Sequence, residues 1–422
     1  MKIFALSTFK KNALLNTWAV GIPGLFYWAV GIVAVRVSGY EDAGVWAVVN
    51  SFSLNFLYLA EFGVYPYQIS DVEGKHSDMA YLKFKIGTSL LAFVVFCLSL
   101  FFVDFSARVV LCSFIMMVLR IAENLSSAQL AVLQRFMRYD MIAISRTIKA
   151  VLCLLVFTGV LAVFNLPGAL ASMTFVFILV FYVYDWRKVR ADARYTIRCG
   201  QTDYRIMAEK CLPIMLNTLI YPFQIFFTRY IISLNFSEAE VGLYSSVTVF
   251  LILAVALVNP VFNVLIPDFT VFYQHKKIHE LKITLLKAGV FIVVISGVLY
   301  GGARLFGSWG LILIYGPEIA PYVYLLPISI FTTSLIFVLN FLNTLLTSFR
   351  MTRIMFAVNF SGLISCCIAT KFFVDRFGMI GACYSLAVSI AIQILCTFIA
   401  AARALAGLFM RERLSHSESN AA

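Results

Sequence analysis

Twelve apolar stretches follow one another along this 422-residue sequence, and most of them are long enough to cross a membrane. A helix needs about 20 apolar residues to span the hydrocarbon core of a bilayer. Inside lipid, each backbone amide must be hydrogen-bonded within the protein, and a single apolar segment achieves this as a helix. We therefore predict an all-α polytopic membrane protein with twelve transmembrane helices. The stretches lie near residues 13–35, 45–68, 80–103, 107–131, 150–164, 169–186, 213–235, 242–268, 284–306, 319–346, 354–373 and 380–402.

The basic residues between these stretches are distributed unevenly. If both termini lie on one side of the membrane, the segments on that side hold 26 of the 33 lysine and arginine residues. Cytoplasmic loops carry the excess of positive charge in membrane proteins. This rule places both termini in the cytoplasm. It also explains the net charge of +12 by topology, so no nucleic acid is expected as a partner.

Short motifs in the first part of the chain recur in the second part in the same order. The pairs are Gly44-Val-Trp46 with Gly242-Leu-Tyr244, Gly168-Ala169 with Gly381-Ala382, and Phe136-Met-Arg138 with Ser348-Phe-Arg350. Internal repeats are common in transporters, whose substrate site lies between the repeats. We therefore predict two six-helix halves in parallel orientation around a central cavity. The predicted segments are a first half at 1–186, a basic cytoplasmic linker at 187–212, a second half at 213–402 and a cytoplasmic tail at 403–422.

Two charged residues, Arg120 and Glu123, fall near the middle of the apolar stretch at 107–131. An isolated charge there costs about 2.5–3.5 kcal/mol on insertion scales, so something must compensate it. Residues three apart share one face of a helix, which allows these two side chains to pair. The sequence allows two interpretations of this charged pair. The pair either faces a cavity or joins this helix to its neighbours.

Four more charged residues lie within or beside the predicted helices. Each allows a functional interpretation and an ordinary structural one. Glu61 is placed to exchange a proton or to pair with an arginine, and it is equally well read as an interfacial carboxylate. Arg146 and Arg229 put positive charge at opposite depths of the two halves, where snorkelling to the interface would explain each alone. Asp268 is placed to pair with a basic inner mouth, or it simply marks a loop boundary.

The sequence shows no residue pattern for covalent chemistry. The apparent cavity contains no Ser/His/Asp set, no paired catalytic carboxylates, no metal-ligand cluster and no glycine-rich phosphate loop. We therefore expect a protein that is not an enzyme, with no catalytic residue, no metal site and no cofactor. Transport without chemistry fits the sequence better.

The chain resembles the polysaccharide-exporter branch of the multidrug/oligosaccharidyl-lipid/polysaccharide superfamily, and within it the Wzx-type O-antigen flippases. The resemblance rests on the two six-helix halves, the repeated motifs given above, Glu61-Phe-Gly63 and the basic inner loops. It covers nearly the whole chain. It implies an undecaprenyl-pyrophosphate-linked oligosaccharide as the substrate, turned over from the cytoplasmic to the periplasmic leaflet of the bacterial inner membrane. Membrane lipids and other O-antigen assembly proteins are the partners it implies.

The resemblance implies a role for the arginines, because the pyrophosphate is anionic and an arginine fork donates two hydrogen bonds to phosphate. In this hypothesis Arg146, Arg350 and Arg353 recruit the pyrophosphate at the inner mouth. Arg120 and Arg229 then hold it across the cavity. Alternating access would need an ion or proton gradient, or consumption of the product outside. The predicted ion-coupling or charge-pairing residues are Glu61, Glu123 and Asp268.

Two other functions remain as alternatives at this point. A multidrug/proton antiporter of the same fold would favour a cavity with one or two carboxylates and many aromatic residues. The number of arginines argues against a cationic drug. An O-antigen polymerase would need large periplasmic loops, and the predicted outer loops are short.

Overall fold

The computed structural model describes residues 2–71, 74–190, 203–274, 278–349 and 351–419, and within these ranges it contains helices and no strands. Two short 3₁₀ turns, Leu100–Phe102 and Pro317–Tyr322, and a π-helical turn, Phe181–Trp186, complete the regular structure. The α-helices are α1 Lys2–Ser38, α2 Tyr40–Glu61, α3 Val64–Ser70, α4 Asp78–Ser99, α5 Ala107–Arg135, α6 Tyr139–Val163, α7 Leu166–Val180, α8 Arg187–Arg190, α9 Tyr204–Asn235, α10 Glu238–Val264, α11 Ile266–Gln274, α12 Ile278–Tyr315, α13 Leu325–Ser348, α14 Thr352–Phe377 and α15 Met379–Ser419.

The predicted all-α polytopic fold is confirmed. Eleven segments in the described part of the chain are helical, long and apolar enough to cross a membrane. Helix α10 occupies the position of the eighth predicted span, near 242–268, which is the remaining one of the twelve. The span predicted at 150–164 was too short, because its helix α6 extends from Tyr139 to Val163. Arg146 and Lys149 had broken the apolar stretch in the sequence, although the helix continues through both.

Several helices begin at a residue whose side chain accepts a hydrogen bond from the first turn. Ser77 accepts from the amide of Ala80 before α4, and Ser106 accepts from the amide of Val109 before α5. Asn165 caps α7 in the same way. Short polar side chains favour this position because the first amides of a helix have no intrahelical acceptor. These caps fix where the membrane helices start.

The chain folds into two compact units, Met1–Ser246 and Val247–Ala422. In the first unit, α5 packs against α2, α4, α6 and α7, and α9 packs against α2. In the second unit, α13 packs against α12 and α15, and α14 packs against α15. The predicted boundary at the linker 187–212 stays a prediction, since residues 191–202 lie outside the described part of the chain.

Apolar side chains cover the outside of the first unit, while polar ones lie inside it. On α4, Leu90, Val94 and Leu98 recur every four residues and are all exposed. On α5, Ser113 and Asn124 are buried. A water-soluble helix has the opposite arrangement, with its apolar side turned inward. This inversion is expected for a helix bundle whose surroundings are hydrocarbon.

Helices α2 and α10 cross at two glycines. A Cβ added at Gly44 would overlap the backbone carbonyl of Glu238, and one added at Gly242 would overlap the carbonyl of Tyr40. The crossing is therefore possible only because neither position carries a side chain. Ser106 Oγ donates a hydrogen bond to Glu238 Oε1 at 3.1 Å beside this crossing. The two glycines that the sequence pairs as repeat equivalents are thus in direct contact.

Candidate functional site

A proline in α1 creates the first polar contact of the site. Pro23 has no amide hydrogen, so the carbonyl of Ala19, four residues earlier, loses its helical donor. Arg146 Nη1 from α6 donates to that carbonyl at 2.6 Å. Ala19 is buried, and an unpaired carbonyl there would be costly. Arg146 therefore stabilises the proline site in α1.

This contact predicts a result that distinguishes Arg146 from an ordinary surface cation. Arg146→Met is expected to lower the free energy of unfolding by about 1–3 kcal/mol, because the Ala19 carbonyl is left unsatisfied. Adding Pro23→Ala restores a helical donor to that carbonyl, so the double variant should regain much of the loss. Thermal unfolding in detergent measures both effects. Equal stability of the single and double variants would contradict this role.

Arg120 is the centre of a buried network on α5. Its guanidinium donates to Glu123 Oε2 at 2.6 Å, to the Tyr27 hydroxyl at 2.7 Å, to Asn50 Oδ1 at 2.6 Å and to Ser53 Oγ at 3.2 Å. The arginine side chain is 1% exposed. The predicted pairing of Arg120 with Glu123 is therefore present, and it joins α5 to α1 and α2. Both residues also line a cavity.

Glu61 lies where α2 ends inside the first unit. The next two residues, Phe62 and Gly63, have φ of 51° and 68°, so the helix stops and restarts as α3. The carbonyl of Ala60 accepts hydrogen bonds from Thr88 Oγ1 at 2.6 Å and from Asn124 Nδ2 at 3.0 Å. These donors satisfy the broken helix end. Glu61 is thereby held at the cavity wall.

Two lysines are buried in the interior, although the charge count above includes them in the predicted cytoplasmic segments 69–87 and 134–149. Lys85 is fully buried and donates to Ser127 Oγ at 2.5 Å. Lys149 forms an ion pair with Asp185, whose side chain is fully buried. Asp185 lies at the end of the apolar stretch 169–186, and an ionisable residue in such a stretch is itself a signal of function. Sequence reasoning missed Lys149 and Asp185.

These elements line an open cavity of about 310 Å³ within the first unit. Helices α1, α2, α5 and α6 supply most of its walls, and Tyr27 and Tyr58 add aromatic surface. The lining holds three cationic side chains and two carboxylates, and a third carboxylate, Asp185, pairs with Lys149 just behind the lining. The charged lining residues are Glu61, Arg120, Glu123, Arg146 and Lys149.

The other predicted site residues that the structure describes lie outside this cavity. Arg229 is buried on α9 and donates to the carbonyl of Ala47 at 3.1 Å, and it does not line this cavity. In the second unit, Asp268 on α11 and Arg353 near the start of α14 are exposed. Arg350 lies outside the described residues. The structure thus brings together Glu61, Arg120, Glu123 and Arg146, and their roles in transport stay predictions.

Several solved structures resemble this chain at low sequence identity. The sequence matches no protein-family model and no curated protein. A multidrug resistance MATE family transporter of the MOP superfamily, in an inward-facing conformation, is similar at a TM-score of 0.78 and 11% identity, covering 92% of this chain and 96% of that one. A MOP superfamily transporter from Pyrococcus furiosus, described as having a binding pocket of reverse polarity, has a TM-score of 0.64 at 12% identity over 94% and 95% of the two chains.

The lipid II flippase MurJ, in its inward closed conformation, is also similar, with a TM-score of 0.63 and 11% identity over 97% of this chain and 92% of that one. At these identities the likeness establishes the fold. This chain is a multi-pass membrane protein with the fold of the MOP superfamily transporters. The similar structures named above are those of two transporters and a flippase.

Proposed function

We propose that this chain is a flippase for an anionic lipid-linked oligosaccharide, of the Wzx type. It moves an undecaprenyl-diphosphate-linked sugar unit from the cytoplasmic to the periplasmic leaflet of the bacterial inner membrane by alternating access. Both termini are cytoplasmic in this proposal, and other O-antigen assembly proteins use the product. The observation that carries the proposal is the excess of cationic over anionic side chains in the lining of a cavity in a membrane bundle of this fold.

The charge of the cavity supports an anionic headgroup. Arg120, Arg146 and Lys149 line it against two carboxylates. Glu123 is already paired with Arg120 and accepts a hydrogen bond from Tyr27. Positive charge in a site of low dielectric attracts phosphate strongly and repels cations. A diphosphate-bearing lipid therefore suits the cavity better than a cationic drug does.

The polar and aromatic lining supports a sugar beside the diphosphate. Tyr27 and Tyr58 line the same cavity, and aromatic faces pack against apolar faces of sugar rings. The cavity volume of about 310 Å³ suits a headgroup rather than a whole lipid. The polyprenyl chain would stay in the surrounding bilayer. It therefore never leaves an apolar environment while the headgroup crosses.

A multidrug/proton antiporter remains the second candidate, because Glu61 lines the cavity and is the carboxylate best placed to receive a cation or proton. A drug site would require the cavity to be neutral or negative. Binding experiments with charged and uncharged probes separate the two functions directly.

The test is binding of farnesyl diphosphate, a soluble short-chain probe, to the purified protein in lipid nanodiscs, with farnesol as the uncharged control. We expect the diphosphate to raise the unfolding temperature and farnesol to leave it unchanged, because ligand that binds only the folded state stabilises it. Lys149→Met leaves Asp185 without its cation, so Lys149→Met/Asp185→Leu, which replaces the buried pair by apolar groups, is measured beside it. Both variants should weaken binding about tenfold, as expected for one lost charged contact. Lys83→Met changes an exposed lysine and should have no effect.

A cationic dye such as ethidium is the third probe. Stabilisation by the dye without stabilisation by farnesyl diphosphate would reject the flippase and favour the antiporter. Equal binding by wild type and Lys149→Met would show that the diphosphate does not use this cavity.

A further inference from the structure

A buried carboxylate, Asp185, lies beside the cavity with three side chains directed at it. Ser126 Oγ donates to Asp185 Oδ2 at 2.8 Å, and Ser145 Oγ donates to Oδ1 at 2.5 Å. Lys149 Nζ forms an ion pair with Oδ2 and also donates to Ser126 Oγ at 2.6 Å. The carboxylate is fully buried, and the lysine is 5% exposed. Helices α5 and α6 thus supply all three donors.

The backbone that carries Asp185 is unusual. Residues Phe181–Trp186 form a π-helical turn between α7 and α8. A π-helical turn inserts an extra residue into a helix, is rare, and occurs frequently at functional sites. An α-helical turn at this point would rotate the following residues around the axis. The π turn therefore places Asp185 at the Lys149 ammonium group, whereas burial alone would not require such a turn.

The ion pair borders the cavity on the lysine side. Lys149, Ser126 and Phe177 line the cavity, whereas Asp185 does not. The ammonium group lies 4.8 Å from the centre of the Phe177 ring. Arg146 and Glu123 are the other charged groups that act on Lys149, and Tyr184 is the titratable neighbour of Asp185. The lysine can therefore contact either Asp185 or an anion in the cavity.

We propose that Lys149 and Asp185 form a proton-linked switch for the bound anion, an inference that rests on the proposed function of the cavity. When a diphosphate enters, the Lys149 ammonium group keeps its proton and moves its ion pair from Asp185 to the phosphate. Asp185 then takes up one proton from solvent and remains hydrogen-bonded to the two serine side chains. Anion binding and proton binding are coupled through this one lysine.

Electrostatics gives the coupling its sign. A carboxylate that loses its cation and gains a nearby anion is stabilised by taking up a proton, because two negative charges in a poorly solvated site repel each other. By thermodynamic reciprocity, protonation of Asp185 must favour anion binding by the same factor. Glu61 also faces the cavity and is the competing proton acceptor, while Glu123 is held by Arg120.

The experiment measures proton uptake when farnesyl diphosphate binds, with a pH-indicator dye in weakly buffered nanodiscs at a pH where the probe is fully ionised. Wild type should take up about one proton per bound probe, the value expected for a single coupled site. Asp185→Asn keeps one acceptor oxygen for Lys149 and Ser126, and its amide group can donate to the Ser145 hydroxyl, so it should fold and abolish the uptake. It should also bind the probe about tenfold more tightly, because the carboxamide resembles the protonated acid.

Glu61→Gln is the comparison variant, since it removes the carboxylate that lines the cavity and is not paired with Arg120. Whatever its effect on probe affinity, the number of protons taken up per bound probe should stay at about one. If Asp185→Asn fails to fold, the double variant Lys149→Met/Asp185→Leu replaces the ion pair by apolar groups, which a buried pair tolerates. It should fold and bind probe weakly without proton uptake.

The outcomes separate the switch from the proposed function. Absence of probe binding by wild type would reject both the flippase cavity and the switch that depends on it. Binding without proton uptake would reject the switch alone. Uptake that persists in Asp185→Asn and disappears in Glu61→Gln would assign the coupling to Glu61 and overturn this inference.

Discussion

Arg120→Met is expected to lower the free energy of unfolding by about 3 kcal/mol and to abolish transport. Removing one partner of a buried ion pair leaves the other charge uncompensated, which costs about 3–5 kcal/mol. The lower end applies here because the Glu123 side chain is 18% exposed. The substitution also removes the donors to Tyr27, Asn50 and Ser53. Helices α1, α2 and α5 thereby lose the hydrogen-bond network that joins them.

The matched control for this substitution is Arg205→Met. Arg205 pairs with Glu209 at 3.0 Å, with side chains that are 86% and 63% exposed. Exposed pairs contribute about 0–1 kcal/mol, so this variant should unfold almost as wild type does. Chemical denaturation of both variants in detergent gives the comparison. If Arg120→Met and Arg205→Met lowered the free energy of unfolding by similar amounts, the buried network would contribute no more stability than an exposed ion pair.

The second large effect is expected at the crossing of α2 and α10. Gly44→Ala and Gly242→Ala should each lower the free energy of unfolding by about 3 kcal/mol, the upper end for an overpacked site. The added Cβ meets backbone carbonyl groups of Glu238 and Tyr40, which cannot rotate away as a side chain does. We expect the two helices to separate and transport to fall with them.

Gly159→Ala on α6 is the control for both glycines. A Cβ at that position would meet no atom within 4 Å. Alanine in a helix is favoured over glycine by about 0.5–1 kcal/mol, so this variant should be as stable as wild type or slightly more stable. Wild-type stability and transport in Gly44→Ala would mean that the close crossing is not maintained in the working protein.

The lengths of the apolar stretches made the helices predictable. Charged residues inside a helix made its predicted boundaries less accurate. The stretch near 107–131 lies within α5, because twenty or more apolar residues leave few alternatives to a helix. The fifth helix was predicted too short because Arg146 and Lys149 interrupt its apolar run. In the folded chain Arg146 donates a hydrogen bond to the Ala19 carbonyl and Lys149 pairs with Asp185, and no property of the α6 sequence alone contains that information.

The candidate site was predictable where its residues are close in sequence. Arg120 and Glu123 are three apart on one helix, so their pairing follows from helical geometry. Lys149 and Asp185 are 36 residues apart, and their pairing depends on a π-helical turn that leaves no clear sequence pattern. The contact of Arg146 with Ala19 required the position of α6 against α1. Contacts between helices therefore account for what the sequence analysis missed.

The flippase proposal is tested most directly by reconstituting the protein in liposomes with a fluorescent undecaprenyl-diphosphate-linked saccharide. The measurement is the fraction of the labelled lipid that becomes accessible to a membrane-impermeant quencher on the opposite leaflet. We predict translocation by wild type, with loss in Lys149→Met and retention in Lys83→Met, and no efflux of ethidium from the same vesicles. Dye efflux without lipid translocation would contradict the account and identify a drug antiporter instead.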